Sequence, residues 1–378
     1  MNLPFIPQVE PYVTEAEAEA AARYLRSGGW LTEFEETRRF AAELAAAVGA
    51  AHCEIVSSGT AGLYLALLAA GIGPGQSVVV PDFTMIATAN AVRWTGADVL
   101  LADVERETLC LDLRTVRLRP DTRALIHVSL NGRAGDLRGV VQFCREHNLL
   151  LIEDACQALG SRHDGQWLGT FGDLGVYSFT PHKIITTGQG GAVVTNRPEL
   201  AAQVRGLKDF CRTAPGVDQH TGIGFNFKFT DLQAVVGREQ LRTLEFRRQR
   251  RRVLWARYWT ELSDLPGIEF VPTDLTETVP WFADLLVLGA GERDRLIAKL
   301  RERGIGSRPF YPPLHSQPPY RTCADEAGGA ARFPVAEEIA RSGLWLPSSI
   351  GLADADAARV VSAVREALGV RSALDAAA

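Results

Sequence analysis

Short, continuous apolar runs alternate with stretches of helical period through the first two thirds of the chain. "CEIV" precedes "TAGLYLALLAAG", "SVVVP" precedes "IATANAVRWTG", and "DVLLADV" follows; then come "ALIHVSL", "LRGVVQFCREHN" and "LLLIEDA". Unbroken apolar runs bounded by turn residues and separated by helices predict parallel strands buried on both faces. The fold class expected is therefore α/β with a mainly parallel sheet. "LGVYSFT" and "GGAVVTN" have no helix between them, which predicts one or two antiparallel strands joining that sheet. Ahead of the sheet, "TEAEAEAAARYLRSGG" predicts a helix capped by Thr14 and ended by Gly28 and Gly29, and "EFEETRRFAAELAAAVGA" a second one stopped by Gly49. A single long helix is predicted over "TDLQAVVGREQLRTLEFRRQRRRVLWARYWTEL". Beyond it, "GIEFVP", "WFADLLVLG", a helix in "GERDRLIAKLRERG" and a last helix in "DADAARVVSAVREAL" predict a smaller α+β domain. The expected division is a large domain over 1–245 with the N-terminal segment and a small one over 246–378, the boundary lying inside the long helix. The final "LDAAA" is expected to fray.

Composition adds constraints. At 378 residues, 46% of them hydrophobic and 22% charged, the chain has ordinary globular composition and room for two domains. A net charge of -5 gives no reason to expect a nucleic-acid partner. Arg247, Arg248, Arg250, Arg251 and Arg252 read as the solvated face of a helix. The six cysteines show no CxxC and no metal-ligand spacing with histidine, so they are expected to be reduced thiols in a cytoplasmic protein holding no metal. There is no basic stretch followed by an apolar leader and no run of about 18 apolar residues, which predicts neither export nor a membrane span.

Ligands of an open α/β sheet sit beyond the carboxyl ends of its strands, so the residues just past each apolar run carry the candidate chemistry. "IVSSGTAGL" passes from strand to helix through small residues, whose free N–H groups and helix dipole suit a phosphate; it also reads as an ordinary strand-to-helix turn. "LLLIEDACQA" ends an apolar strand in Glu153, Asp154 and Gln157. A carboxylate there either meets a cation or caps the helical segment after it. Lys183 lies between a later strand and the glycines of "GQGG". A lysine in a partly desolvated pocket has a lowered pKa, and its neutral amine can attack a carbonyl. Pyridoxal phosphate requires a phosphate cradle, a carboxylate for its ring nitrogen and a lysine for its aldehyde, and the three features together match that set.

Six ordered stretches, "SSGTAGLYLALLAAGIGPG", "VPDFTMIATANAV", "IEDACQALGS", "GTFGDLGVYSFTPHKIITTGQGGAVVTN", "GFNFKFTDLQAVVG" and "RPFYPPLHSQP", closely resemble the DegT/DnrJ/StrS family of pyridoxal-phosphate-dependent sugar aminotransferases over nearly the whole chain. The resemblance implies the type I aminotransferase fold. It makes Lys183 the Schiff-base lysine and proton carrier, and pairs Asp154 with the pyridinium nitrogen. Gln157 would lie by the ring's phenolic oxygen, while Thr60, the N–H groups of Gly59 and Ala61, and Ser178 would hold the phosphate. Asn226 would reach the phosphate from a neighbouring subunit, implying a homodimer with shared sites. Met85 stands where many relatives place an aromatic ring over the cofactor, and Lys228 where many have an arginine for the donor's carboxylate. Tyr311 and His315 match positions near a sugar nucleotide, with a Pro-rich loop packed at the dimer interface as the other reading. Arg308 and Arg133 are candidates for the substrate's diphosphate; for Arg308 the alternative is a salt bridge at the domain junction. The implied reaction is amination of a nucleotide-linked keto-sugar, a 4-keto-6-deoxy hexose of perosamine type, with glutamate as donor. Alternatives are an unactivated sugar acid or cyclitol as substrate, a pyridoxamine-phosphate-dependent sugar dehydratase in which histidine replaces the lysine, and a regulatory relative without turnover.

Overall fold

The computed structural model describes residues 4–214, 216–326 and 332–369; the terminal "LDAAA", expected to fray, lies outside them. Helices α1 (Glu15–Arg26) and α2 (Glu35–Val48) come first. Thr14 donates its backbone N–H to the Glu17 carboxylate at the start of α1, and Gly49 ends α2 at φ 68°, in the left-handed region where glycine carries no Cβ penalty.

Seven strands form the large sheet: β1 (His52–Val56), β2 (Ser77–Pro81), β3 (Asp98–Ala102), β4 (Thr122–Val128), β5 (Leu150–Asp154), β8 (Leu174–Ser178) and β9 (Gly191–Thr195). A small hairpin of β6 (Arg162–His163) and β7 (Gln166–Trp167) lies between β5 and β8. The spatial order is β1-β9-β8-β5-β4-β2-β3, with β9 antiparallel to both neighbours and the other six strands parallel. Helices α3 (Gly59–Ala69), α4 (Ala87–Trp94) and α5 (Leu137–Glu146) are the expected crossovers. Adjacent residues of each strand serve opposite faces. Val56, Val176 and Val193 pack with Leu63 and Leu67 of α3, whereas Ile55, Tyr177 and Val194 pack with Phe40 and Leu44 of α2. One further helix, α6 (Pro198–Lys208), has no counterpart in the sequence-based reading.

The expected single long helix is two. α7 (Asp231–Arg242) and α8 (Leu244–Leu262) meet at Thr243, at φ -101° and ψ 12°. The Thr243 hydroxyl bonds the Gln240 carbonyl at 3.0 Å, a local bond that competes with the helical ladder. The arginine run is not a solvated face either. Arg247 and Arg251 fall on the inward stripe Leu244, Arg247, Arg251, Trp255, Tyr258 and Leu262, because i, i+3 and i+4 spacing puts them there. Arg247, 1% exposed, pairs with the buried Glu17 at 2.9 Å.

The second sheet has strands β10 (Ile268–Phe270), β11 (Asp284–Val287), β12 (Arg308–Pro309) and β13 (Gly343–Trp345) in the order β10-β11-β13-β12, all antiparallel. Helices α8, α9 (Glu292–Glu302) and α12 (Asp354–Ala367) share its core through Leu262, Leu300 and Val364. Two shorter helices, α10 (Arg321–Glu326) and α11 (Pro334–Ser342), were not anticipated. The N-terminal segment, expected with the large domain, is stitched to the small one: Ile6 bridges Ile305, with Ile6 N–H to Gly304 O at 2.8 Å. The cysteines are free thiols. Among the described residues no helix is long and apolar enough to cross a membrane.

Candidate active site

The site lies where β5, β8 and the start of α3 converge. The two carboxylates that end β5 face opposite ways, as successive strand residues must. Glu153, fully buried, accepts N–H groups of Gly169, Phe171 and Gly172 at 2.6 to 2.7 Å. Burial pushes it up to about 7, and its task is to brace the loop before β8. Asp154 faces the cleft side. Its Oδ2 accepts the Thr88 hydroxyl of α4 at 2.7 Å, and its Oδ1 the Cys156 N–H at 3.2 Å, so the helix-cap reading and the partnered-acid reading both describe part of it.

Ser58 is the N-cap of α3, and its Oγ accepts the Ala61 N–H at 3.1 Å. The Ala61 donor expected at a phosphate is therefore spent on the cap. The first N–H groups of a helix have no intrahelical partner, which leaves those of Gly59 and Thr60. Gly59 is held tightly: a Cβ on it would lie 2.9 Å from Cys156 Sγ and 3.0 Å from Ser178 Cβ. Gly191 is equally constrained, since its Cβ would lie 2.7 Å from the Gly59 nitrogen. The register of β9 sets that approach, pairing Gly191 with both Val56 and Ser178. The glycines after Lys183 thus let a strand run against a helix start.

Lys183 follows β8 on a turn closed by its N–H to Thr180 O at 3.0 Å. Its Nζ sits 3.9 Å from the centroid of the Trp281 ring, and Trp281 is in turn fixed by Nε1–H to His182 O at 3.0 Å. Burial, together with the guanidiniums of Arg308 and Arg251, pushes the amine down to about 8, against the pull of Cys156 and Asp154. His182 is lowered to about 4, by burial first and then by Lys183. Lys183, Ser178, Gln157, Cys156, Trp281 and Arg251 line one cleft. Gln157 is positioned there by accepting the Asn131 N–H at 2.8 Å.

The outer candidates divide. Arg308 is exposed, its guanidinium carbon 5.6 Å from the ring centroids of both Tyr311 and Trp345. No carboxylate among the described residues pairs with it, so the salt bridge considered for it does not occur. Tyr311 packs edge-on against Trp345 at 4.9 Å, and burial raises its pKa. His315 is a correction. It is buried, with Nδ1 2.6 Å from Asp82 and Nε2 3.0 Å from Glu337, and both ring nitrogens are consumed inside the chain. Arg133 is another: 4% exposed, it forms a bidentate pair with Asp284 at 2.7 and 2.9 Å and also donates to Pro272 O and Thr273 Oγ1. No donor of that kind is left for a diphosphate. Lys228 pairs with Asp209 and lies 5.1 Å over the Phe210 ring. Asn226 is exposed on the same segment, bridged to Asp209. Met85 is 45% exposed at the start of α4, its sulfur accepting the Ala87 N–H at 3.1 Å. These last three are not among the residues that line the cleft.

Thr88, Trp281 and Arg251 were missed by sequence reasoning. Thr88 had no motif of its own, and Trp281 belongs to a segment read only as a strand.

The model of the DegT/DnrJ/EryC1/StrS aminotransferase family matches residues 11–365. The chain belongs to this family. It is 35% identical over 352 residues to the GDP-perosamine synthase of Caulobacter vibrioides, covering 90% of this chain and 91% of that one. It is 37% identical over 374 residues to the erythromycin biosynthesis sensory transduction protein EryC1 of Saccharopolyspora erythraea, covering 97% and 99%. The crystal structure of the aminotransferase TlmJ from Streptoalloteichus hindustanus superimposes with a TM-score of 0.90 at 33% identity, covering 96% and 99%. The protein is thus a pyridoxal-phosphate-dependent sugar aminotransferase with the type I fold. Its residues fit the cofactor: the crowded Gly59 and Ser178 corner at a helix N-terminus admits a phosphate, and Asp154 and Lys183 have the donor chemistry of the other two contacts.

Proposed function

We propose that the enzyme aminates a nucleotide-linked 4-keto-6-deoxy hexose of perosamine type, with glutamate as amino donor. Bound pyridoxal phosphate supplies an aldehyde and an electron-withdrawing ring. Lys183 takes up the aldehyde and afterwards moves a proton at its Nζ, a task suited to an amine whose pKa is about 8. Asp154, held by Thr88, keeps the ring nitrogen protonated, while Gly59, Thr60 and Ser178 hold the phosphate and Gln157 the phenolic side. Trp281 walls the cleft beside Lys183 and excludes water. Asn226, exposed in the single chain, reaches the phosphate of a second copy in a homodimer. The large domain over 1–245 carries the cofactor, and the enzyme works in the cytoplasm.

The observation that carries the substrate reading is the 35% identity over 352 residues to a GDP-perosamine synthase. Arg308 agrees with it, being a cation beside the cleft with no carboxylate partner, as a diphosphate requires. A sensory role, suggested by the name of the EryC1 relative, is disfavoured by the intact lysine and acid at this site. The test is a screen of nucleotide-linked keto-sugars with glutamate, scored by loss of the keto form. Turnover of a GDP-linked 4-keto-6-deoxy hexose, abolished by Lys183→Ala, is the expected result. Amination only of a free sugar acid or cyclitol would overturn the nucleotide-sugar reading.

A further inference from the structure

Three buried arginines lie near the junction of the two sheets, and two of them are matched. Arg133 has Asp284, and Arg247 has Glu17. Arg251 has no carboxylate. It is 4% exposed, its Nη1 donates to the Ser348 carbonyl, and its Nε has no hydrogen-bond partner. The Phe282 ring covers it at 5.7 Å. The charge that acts on it most closely is another cation, Arg247. A guanidinium taken out of water without a counterion is costly, and an anion at the site would remove that cost. Burial and Arg247 push Arg251 down to about 9, which reports the same deficit.

Arg251 also lines the Lys183 cleft, and its charge is felt at the Lys183 amine. An aminotransferase must receive two substrates in turn at that lysine, and the amino donor is the one that always brings a carboxylate. The other cations considered for it are spent: Lys228 on Asp209, Arg133 on Asp284. With Nη1 given to Ser348, the edge of the guanidinium that carries Nε remains, and that edge matches the two oxygens of a carboxylate. We propose that Arg251 binds the α-carboxylate of the amino donor, on the inner side of the cleft, while Arg308 serves the longer sugar nucleotide. This rests on the reading that an amino acid supplies the amino group.

The test uses the cofactor-loaded enzyme with Arg251→Lys, which keeps the charge without the fork, and Arg251→Gln. Both should raise KM for L-glutamate roughly 10- to 100-fold, the effect of losing a charge-assisted pair, and leave KM for a GDP-linked 4-keto-6-deoxy hexose within about threefold. Titration calorimetry with maleate, a carboxylate that cannot donate an amine, should show binding to the wild type and none to Arg251→Gln. An unchanged glutamate KM in the folded variants overturns the proposal. So does weaker cofactor retention with an unchanged donor KM, which would give Arg251 to the cofactor. Failure of both variants to fold would make it a structural residue and likewise overturn the subsite. If no amino acid bleaches the wild-type chromophore, the donor reading itself fails, and that result is separate because it needs no variant.

Discussion

Lys183 captures an aldehyde only as the neutral amine, so cofactor-free enzyme mixed with pyridoxal phosphate measures its protonation. With the amine at about 8, roughly a quarter of the molecules are neutral near pH 7.5, against about one in a thousand for a lysine titrating near 10.4. The structure therefore predicts capture about 200-fold faster than for an ordinary lysine under those conditions. The cause is burial first, then the positive charges of Arg308 and Arg251. Stopped-flow absorbance across a pH series should show the rate rising and levelling off with a midpoint near 8. Arg308→Ala removes one repelling charge, so its midpoint should move upward. A rate that still climbs in proportion to hydroxide beyond about pH 9.5, as for an unperturbed lysine, would refute the reasoning.

Arg133→Ala should lower stability by about 3–5 kcal/mol, because it strands the fully buried Asp284; urea denaturation reads this, and an unchanged midpoint with a raised KM for the sugar nucleotide would restore the diphosphate role. The hydrogen bond to Asp82 raises the pKa of His315, so the stability this pair adds is fully present below the ordinary histidine pKa and is lost as pH rises through the raised one. The melting gap between wild type and His315→Gln should accordingly narrow with rising pH; a widening gap would contradict the sign. Mixing Lys183→Ala subunits with Asn226→Ala subunits should restore part of the activity if sites are shared, since one site per heterodimer is then intact; no recovery after confirmed exchange would place Asn226 in its own subunit's site.

Continuous apolar runs made the parallel strands legible, and Gly49 and Thr14 marked real helix ends. Thr243 was illegible because a break made by one hydroxyl leaves the helical period almost unchanged. Arg247 and Arg251 defeated the charge rule for a related reason: charge suggests solvent, whereas their spacing from Trp255 and Tyr258 shows which side they face. The spacing was the better guide. Lys183, Asp154, Ser178 and Gln157 could be named in advance because each ends a strand or follows one closely. His315 and Arg133 could not be sorted by motif, since their roles depend on Asp82 and Asp284, partners remote in the chain.

The place of β9 also governs how the chain can be assembled. β1 is an edge strand whose only sheet partner is β9, so it stays unpaired until synthesis has passed Thr195. For that whole interval the nascent chain carries an apolar strand with a bare edge, a form prone to pairing with other chains. α2, packed on one face of β1, can shield its side chains during the wait but not its backbone edge. The last strand to enter the sheet is also the one that brings Gly191 against the helix start at Gly59. The phosphate corner is therefore finished by the same event that closes the edge, and a chain able to hold its cofactor has already passed its most aggregation-prone stage.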